Sequence, residues 1–398
     1  MDKTKFTSPI REEVLSLPEL SDASTERCFG SEKLKGLMPI SEIFDVRKII
    51  VTGAGDSWVA GGAMLPVMKK YCDAMQVSVY NPIQFSRFVT KGDIGIGEPN
   101  SPLAIGISVG GGTARVAEVL EKANAIGACS MLITNNPESR CAKIAKKVFY
   151  VETPEYPYDK MIHPNIRSYF ASMTALAALS CRFGHVRGLL PPTAEDDFKN
   201  AIRTYCHSWD PVMDSIDTQM FELAQKWCRF EKFDFIGCET QLYSAIFGLE
   251  KFYESCGTIC NYDDPEDWCH IDFFCKDPET IGTVFHVDKD SPSLSRVKET
   301  VASAVSIGRP TLVVTNSDDE FAEGAEVVRI PKAPEGYEWV MPLMEYVPDA
   351  LLAGYCATLG GRKNFVQYDP MTKEYDKESL HSKPNAMTIG TSEVQIHF

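Results

Sequence analysis

The sequence has no long apolar run. Its least polar stretch, Tyr169 to Cys181, falls short of the roughly 20 residues that a bilayer span needs, so no membrane span is expected. It has no excess of positive charge either: 40 Lys and Arg stand against 55 Asp and Glu, a formal charge of −15. Such a chain is a poor coat for nucleic acid or for an anionic membrane surface. No GxxxxGK[ST] occurs, which excludes a P-loop, and Trp58 stands where the dinucleotide fingerprint begun by Gly53-x-Gly55 needs a third glycine. The 13 cysteines include no CxxC pair. Cys256, Cys260, Cys269, His270 and Cys275 therefore lack the paired knuckles of structural zinc sites. Asp263-Asp264 with Glu266-Asp267 lacks the EF-hand order and reads as a solvated acidic loop. The start, Met1-Asp2-Lys3-Thr4-Lys5-Phe6, has no signal-type apolar region, so the cysteines are expected as reduced thiols of a cytoplasmic protein. No redox cofactor and no metal is implied.

What is present suffices for two sizeable domains: 398 residues, 44% hydrophobic and 24% charged. Residues 1–45 read as an N-terminal arm, with amphipathic pieces at Ile10 to Leu17 and Leu34 to Phe44 and a break at Pro18. The pattern then becomes β-branched. Lys48 to Thr52 reads as a strand and is followed at once by Gly53-Ala54-Gly55. Asp56-Ser57 is placed to cap a helix beginning near Trp58. Gln76–Tyr80, Leu103–Val109, Cys129–Thr134 and Lys147–Val151 read as further strands. Between the third and fourth, Val116, Val119, Leu120 and Ala123 recur at helical spacing, and Gly127 closes that helix. Strands alternating with helices predict parallel βαβ units.

The second half repeats the layout. Phe233 to Gly237 parallels the first strand and turn, Thr283 to Val287 the third strand, and Pro310 to Asn316 the stretch Ser130 to Asn135. Gly127 to Asn135 and Gly308 to Asn316 span the same number of residues. The expectation is a duplicated α/β domain: domains at 46–185 and 231–362, a helical connector at 186–230 and a tail at 363–398.

Chemistry concentrates at two places. The third strand exits through Ser108-Val109-Gly110-Gly111-Gly112-Thr113 into a helix. Glycines let a backbone approach an anion closely, and the N–H groups of a helix start favour phosphate. The hydroxyls of Ser57, Ser108 and Thr113 add donors. In the second half, Glu254 sits at a helix C-terminus, where a carboxylate opposes the helix dipole and is a poor choice for stability alone. It also reads as a surface partner of Lys251.

Together, Gly53-Ala54-Gly55-Asp56-Ser57 and Ile107-Ser108-Val109-Gly110-Gly111-Gly112-Thr113 resemble the sugar isomerase (SIS) domain. Ile133-Thr134-Asn135 and Ala145 to Val148 fit that family's later strands. The duplicated order resembles the isomerase half of glutamine–fructose-6-phosphate aminotransferase, and equally the fructosamine-6-phosphate deglycases. The resemblance implies α/β architecture with two tandem doubly wound parallel-sheet SIS domains, flavodoxin-like three-layer sandwiches. It implies a sugar-phosphate substrate held by Gly55, Ser57, Ser108, Val109, Gly110, Gly111 and Thr113. Gly110 stands where the family usually has a second Ser. Glu254 on a helix and His270 on a loop, sixteen residues apart as in the family, are implied as proton-transfer base and ring-opening acid/base; Ile271-Asp272 follows His270 where the family usually has Gly-Pro. Lys383 is the nearest amine to the family's tail lysine. A homodimer whose site borrows His270 from the partner is also implied. No glutaminase domain is evident, so ammonia from glutamine is not expected. Proton transfer between C1 and C2 of a ketose or amino-ketose 6-phosphate, deglycation of a fructosamine 6-phosphate, and non-catalytic phosphosugar sensing all remain open at this point.

Overall fold

The computed structural model describes residues 1–74, 76–94, 102–158, 163–362, 368–369, 374–375 and 388–398. It contains two five-stranded, all-parallel sheets. The first is built from β1 (Lys48–Thr52), β2 (Gln76–Tyr80), β3 (Leu103–Ile107), β4 (Cys129–Thr134) and β5 (Lys147–Tyr150), in the order β2-β1-β3-β4-β5. The second comprises β6 (Lys232–Ile236), β7 (Ile259–Asp263), β8 (Ile281–Val287), β9 (Thr311–Thr315) and β10 (Glu326–Arg329), in the order β10-β9-β8-β6-β7. Read from its other edge, that is the same topology: the second strand of each half lies outside the first, and the third lies on its other side. The α/β doubly wound class and the duplication expected from sequence are both present.

The chain divides into two compact units. The β1–β5 unit takes in Glu19–Pro154, Arg167–Arg203 and Pro384–Phe398, and the β6–β10 unit takes in Met1–Pro18, Glu155–Ile166 and Thr204–Lys383. The stretch read as one arm is thus shared between them. Its first helix, Pro9–Leu15, belongs with the second sheet. There Arg11 Nη2 meets the buried Asp217 at 2.8 Å, and the Tyr355 hydroxyl donates to the same carboxylate at 2.7 Å. The break expected at Pro18 falls at Ser16, between the helices Pro9–Leu15 and Leu17–Phe29; Pro18 itself occupies the first turn of the second helix, where a missing N–H costs nothing.

In the β1–β5 unit, Ile50 and Ala104 pack with Phe85, Val89, Ile94, Val119 and Ala123 beneath the helix Ala114–Ala125. All five residues of β3 are buried, as a central parallel strand covered on both faces requires. Helix Arg167–Val186 packs on the helices Asp56–Ala63 and Leu65–Cys72. In the β6–β10 unit, helix Val347–Gly360 packs on Met213–Trp227 and Thr240–Cys256. A second core forms around Trp268, Phe285, Val297, Val301 and Val313. Among the described residues, no helix is long and apolar enough to cross a membrane.

Candidate functional site

In an open doubly wound sheet, ligands bind outside the carboxyl ends of the strands where the strand order reverses. In the first sheet that point lies between β1 and β3, and both glycine turns leave the sheet there. Gly53 is dictated by packing, because a Cβ on it would fall 2.6 Å from Ser57 Cβ. Gly55 follows at φ +55° and serves as N-cap of Asp56–Ala63 without any side-chain cap. The capping role expected of Asp56-Ser57 is therefore not taken up. Ser57 lies half-buried in the first turn of that helix, against Gly53.

The loop after β3 is tightly specified. Gly111 has φ +64°, and a Cβ there would lie 1.9 Å from Ser139 Oγ. Its N–H closes a turn onto the Ser108 carbonyl at 3.1 Å, and its carbonyl accepts from Cys141 N at 3.0 Å. Val109 is held by Asn135 N and by the Thr134 hydroxyl, both donating to its carbonyl. Thr113 is the N-cap of Ala114–Ala125 but makes no side-chain cap bond. Its hydroxyl instead faces that of Ser108 at 3.2 Å. Ser108 and Thr113 therefore come together.

A cleft of about 470 Å³ opens beside this loop, within the size range of small-ligand sites. It is lined by Gly53, Ala54, Gly55 and Trp58, by Asn81 to Ile83, by Thr113 and Arg115, and by Thr388, Ile389 and Ser392. Gly55 and Thr113 both line the cleft; Ser57 and Ser108 are not among the lining residues. A smaller hollow is bounded by Val109, Asn135, Thr153, Ser168 and Ser172.

Two features of the cleft were missed in the sequence. Arg115 lines it and binds the fully buried Glu118, which also pairs with Arg87. The C-terminal segment docks there too: the Ile389 carbonyl accepts the Ala114 N–H at 2.7 Å, and Ser392 Oγ accepts from Arg115 at 3.3 Å. One helix-start N–H expected to face an anion is therefore already occupied. The only sequence signal for Arg115 is its place two residues after Thr113; the contacts of residues 388–392 are long-range and left none. Lys383 lies outside the described residues.

The second constellation lies in the β6–β10 unit. Glu254 sits in the last turn of Thr240–Cys256 and pairs with Lys251, one turn earlier, at 2.5 Å. That pair is not a surface one, since the Lys251 side chain is fully buried and Glu254's is 29% exposed. The Lys251 ammonium also lies 4.6 Å from the centre of the Phe247 ring. His270 was read as a loop residue; it is instead the last residue of a short helix, Pro265–His270. Asp264 explains the helix, because its carboxylate accepts the N–H groups of Glu266 and Asp267 and Pro265 fills the first position. The His270 side chain is 67% exposed and meets Glu266 at 3.0 Å.

No family model matches the sequence. Over 331 residues, 80% of this chain, it is 23% identical to glutamine–fructose-6-phosphate aminotransferase (isomerizing) of Streptococcus pneumoniae. The match covers 50% of that protein, so the chain spans about half the length of the curated relatives it matches. Among solved structures, the C-terminal domain of glucosamine-fructose-6-phosphate aminotransferase from Francisella tularensis superposes with a TM-score of 0.76 at 17% identity, covering 91% of this chain and 99% of that one. Tagatose-6-phosphate ketose/aldose isomerase from Escherichia coli superposes at 0.68 with 14% identity, covering 86% and 91%. The likeness shows the fold: two tandem doubly wound α/β domains, as in the C-terminal domain of the Francisella tularensis aminotransferase.

Proposed function

We propose that this chain is a phosphosugar isomerase-type enzyme acting on a ketose or amino-ketose 6-phosphate. The observation that carries the reading is the Ser108–Thr113 hydroxyl pair, 3.2 Å apart on a glycine loop at the switch point of the first sheet. Two hydroxyls at that spacing suit two oxygens of one phosphate, and each bond to the charged group contributes about 1.5–3 kcal/mol. Gly55, Val109, Gly110 and Gly111 shape the backbone around it, and Ser57 is a further donor. In the β6–β10 unit, Glu254 is the base that takes a proton from one of C1 and C2 and returns it to the other, through an enediol or enaminol. The buried Lys251 keeps that carboxylate in place. His270 serves ring opening. The substrate's own carbonyl makes the transferred proton acidic, and the working form is a homodimer.

The test is proton exchange in heavy water with fructose 6-phosphate and aldose 6-phosphates, read by deuterium at C1 and C2. The expected result is exchange in the parent chain and a loss of about 10²–10⁴-fold in Glu254→Gln. Glu254→Asp controls for folding, because it keeps a charge for Lys251 while withdrawing the carboxylate by one methylene. Undiminished exchange in Glu254→Gln overturns the mechanism. Amine release from fructosamine 6-phosphate would place the same proton chemistry in a deglycase. Binding of sugar phosphates with no turnover would make the chain a sensor.

A further inference from the structure

The β1–β5 unit holds a second cavity, which shares no lining residue with the cleft beside the glycine loop. Its volume is about 230 Å³, below the roughly 300–1,000 Å³ of drug-sized ligand sites. Phe29, Leu34 and Cys181, all buried, give it apolar walls. Burial raises the Cys181 thiol to about 12. It therefore stays protonated and serves as a small hydrophobe rather than as a nucleophile or metal ligand.

Two charged residues line the same cavity. Arg182 lies near the end of the helix Arg167–Val186 and is partly buried. Its Nε and Nη2 share one acceptor, the Met38 carbonyl, at 3.3 and 3.2 Å. No carboxylate pairs with it among the described residues, and burial alone acts on its charge, pulling its pKa down. Arg187, just past the end of that helix, shows what an arginine spent on the fold does here: it donates to the carbonyls of Ile43, Val46, Cys72 and Asp73. Glu195 stands in the first turn of the helix Ala194–His207. Acids there suit the helix dipole, and the exposed Asp196 next to it meets that need without entering the cavity. Glu195 is partly buried and accepts no hydrogen bond among the described residues; burial raises its pKa against the pull of Lys199, one turn along. A guanidinium and a carboxylate thus line one small apolar cavity without pairing with each other. Each has lost water there with no opposite charge in return. The other basic groups of the lining are engaged: Lys35 with Glu32 at 2.8 Å, and His185 Nδ1 at 3.4 Å from the Pro191 carbonyl.

We propose that this cavity binds a small apolar α-amino acid as its zwitterion. The carboxylate meets the Arg182 guanidinium, the ammonium meets Glu195, and the side chain lies against Phe29, Leu34 and Cys181. Guanidinium is the natural partner of a carboxylate. A sugar phosphate or dicarboxylate is disfavoured, because Glu195 repels its further negative charge. An amine without a carboxylate leaves Arg182 unpaired. The site stands independently of the reaction proposed above.

The test is titration calorimetry of the full chain near neutral pH with L-leucine, L-valine and L-methionine. Two analogues of leucine each lack one charge: isocaproate has no ammonium and isoamylamine no carboxylate. The expected result is binding of at least one of the three amino acids at millimolar concentration or below, with both analogues about tenfold or more weaker than leucine. Arg182→Gln and Glu195→Gln should each weaken amino-acid binding about tenfold or more, and Asp196→Asn should leave it unchanged. In Glu195→Gln the preference for leucine over isocaproate should disappear. Glu195 lies at a helix start near the surface, so its variant decides the matter even where Arg182→Gln fails to fold. No binding of any of the three amino acids overturns the proposal, and so does an affinity that Glu195→Gln leaves intact. Equal affinity of the parent chain for leucine and isocaproate overturns it too, since the ammonium would then have no partner.

Discussion

The two sheets share a topology but not an interior. The turns after β1 and β6 match: a Cβ on Gly53 would meet the Ser57 backbone at 2.6 Å, and one on Gly237 the Gln241 backbone at 2.5 Å. Taking these glycines as equivalent, Ile50 of β1 matches Asp234 of β6. Likewise Ala128, which follows Gly127, matches Arg309, which follows Gly308. Ile50 and Ala128 belong to one apolar cluster; Asp234 and Arg309 form a buried ion pair. Strand register extends the contrast. Gly106 pairs with Thr52 and Phe285 with Ile236, so buried Ile107 corresponds to His286, which meets Asp349 at 2.6 Å with both side chains fully buried. Glu345 lies buried nearby on the Ser244 hydroxyl at 2.8 Å. The lesson is that backbone packing at the turns sets this architecture. The middle of the sheet accepts either apolar contacts or charges, provided the charges are paired.

The sharpest break between the halves comes from removing half of an ion pair. Arg309→Ala is expected to cost about 3–5 kcal/mol, because Asp234 is left buried without a cation, with the Trp268 indole N–H at 3.4 Å still donating to it. Ile50→Ala in the other half should cost about 2–4 kcal/mol from the cavity alone. The double change Asp234→Ile with Arg309→Ala should recover most of the first loss. Urea midpoints measure all three, and failure of the double change to recover would show that the second interior is not interchangeable with the first.

The turns predict likeness rather than contrast. Gly53→Ala and Gly237→Ala should each destabilise by about 2–3 kcal/mol, since the clash is with backbone and cannot be relieved by a rotamer. Unequal losses would end the equivalence on which the residue matching rests.

The charged interior also predicts a pH dependence. Burial raises the Glu345 carboxyl to about 7, with His286 and the Ser244 hydroxyl pulling the other way. Burial works against the His286 cation, but the charge and hydrogen bond of Asp349 more than offset it, so its pKa is raised. Above the unfolded values the native state therefore holds more protons than the unfolded chain, and stability falls as pH rises. The fall should run from about pH 5 to 8 and amount to about 1–3 kcal/mol. Glu345→Gln should flatten it; an unchanged slope in that variant would assign the dependence to other groups.

The smallest effect concerns one backbone conformation. Gly55 has φ +55° and Glu239, its counterpart, φ +51°, which strains a residue bearing a Cβ. Glu239→Gly should gain about 1 kcal/mol and Gly55→Ala should lose about as much, measured as opposite shifts of the unfolding midpoint.

The parallel sheets were legible in the sequence because β-branched runs and glycine turns are local signals repeated twice. Ser108 and Thr113 were legible for the same reason, since one short loop carries both. His270 was misread because Asp264 and Pro265 are a helix start that looks like an acidic loop when only charge is considered. Lys251 was visible as a neighbour of Glu254, but its burial depends on packing around Phe247 that no local pattern shows. Arg115 and the segment at Ile389 were hidden altogether, because their contacts join residues about 275 apart.

Titration calorimetry of fructose 6-phosphate and of fructose against the parent chain and against Ser108→Ala with Thr113→Val tests the proposed phosphate cradle most directly. The phosphate ester should bind the parent chain and fructose should give no heat, with affinity for the ester falling about 10–100-fold in the double variant. Equal binding of both sugars, or ester binding indifferent to the loss of both hydroxyls, would contradict an anion site at the end of β3.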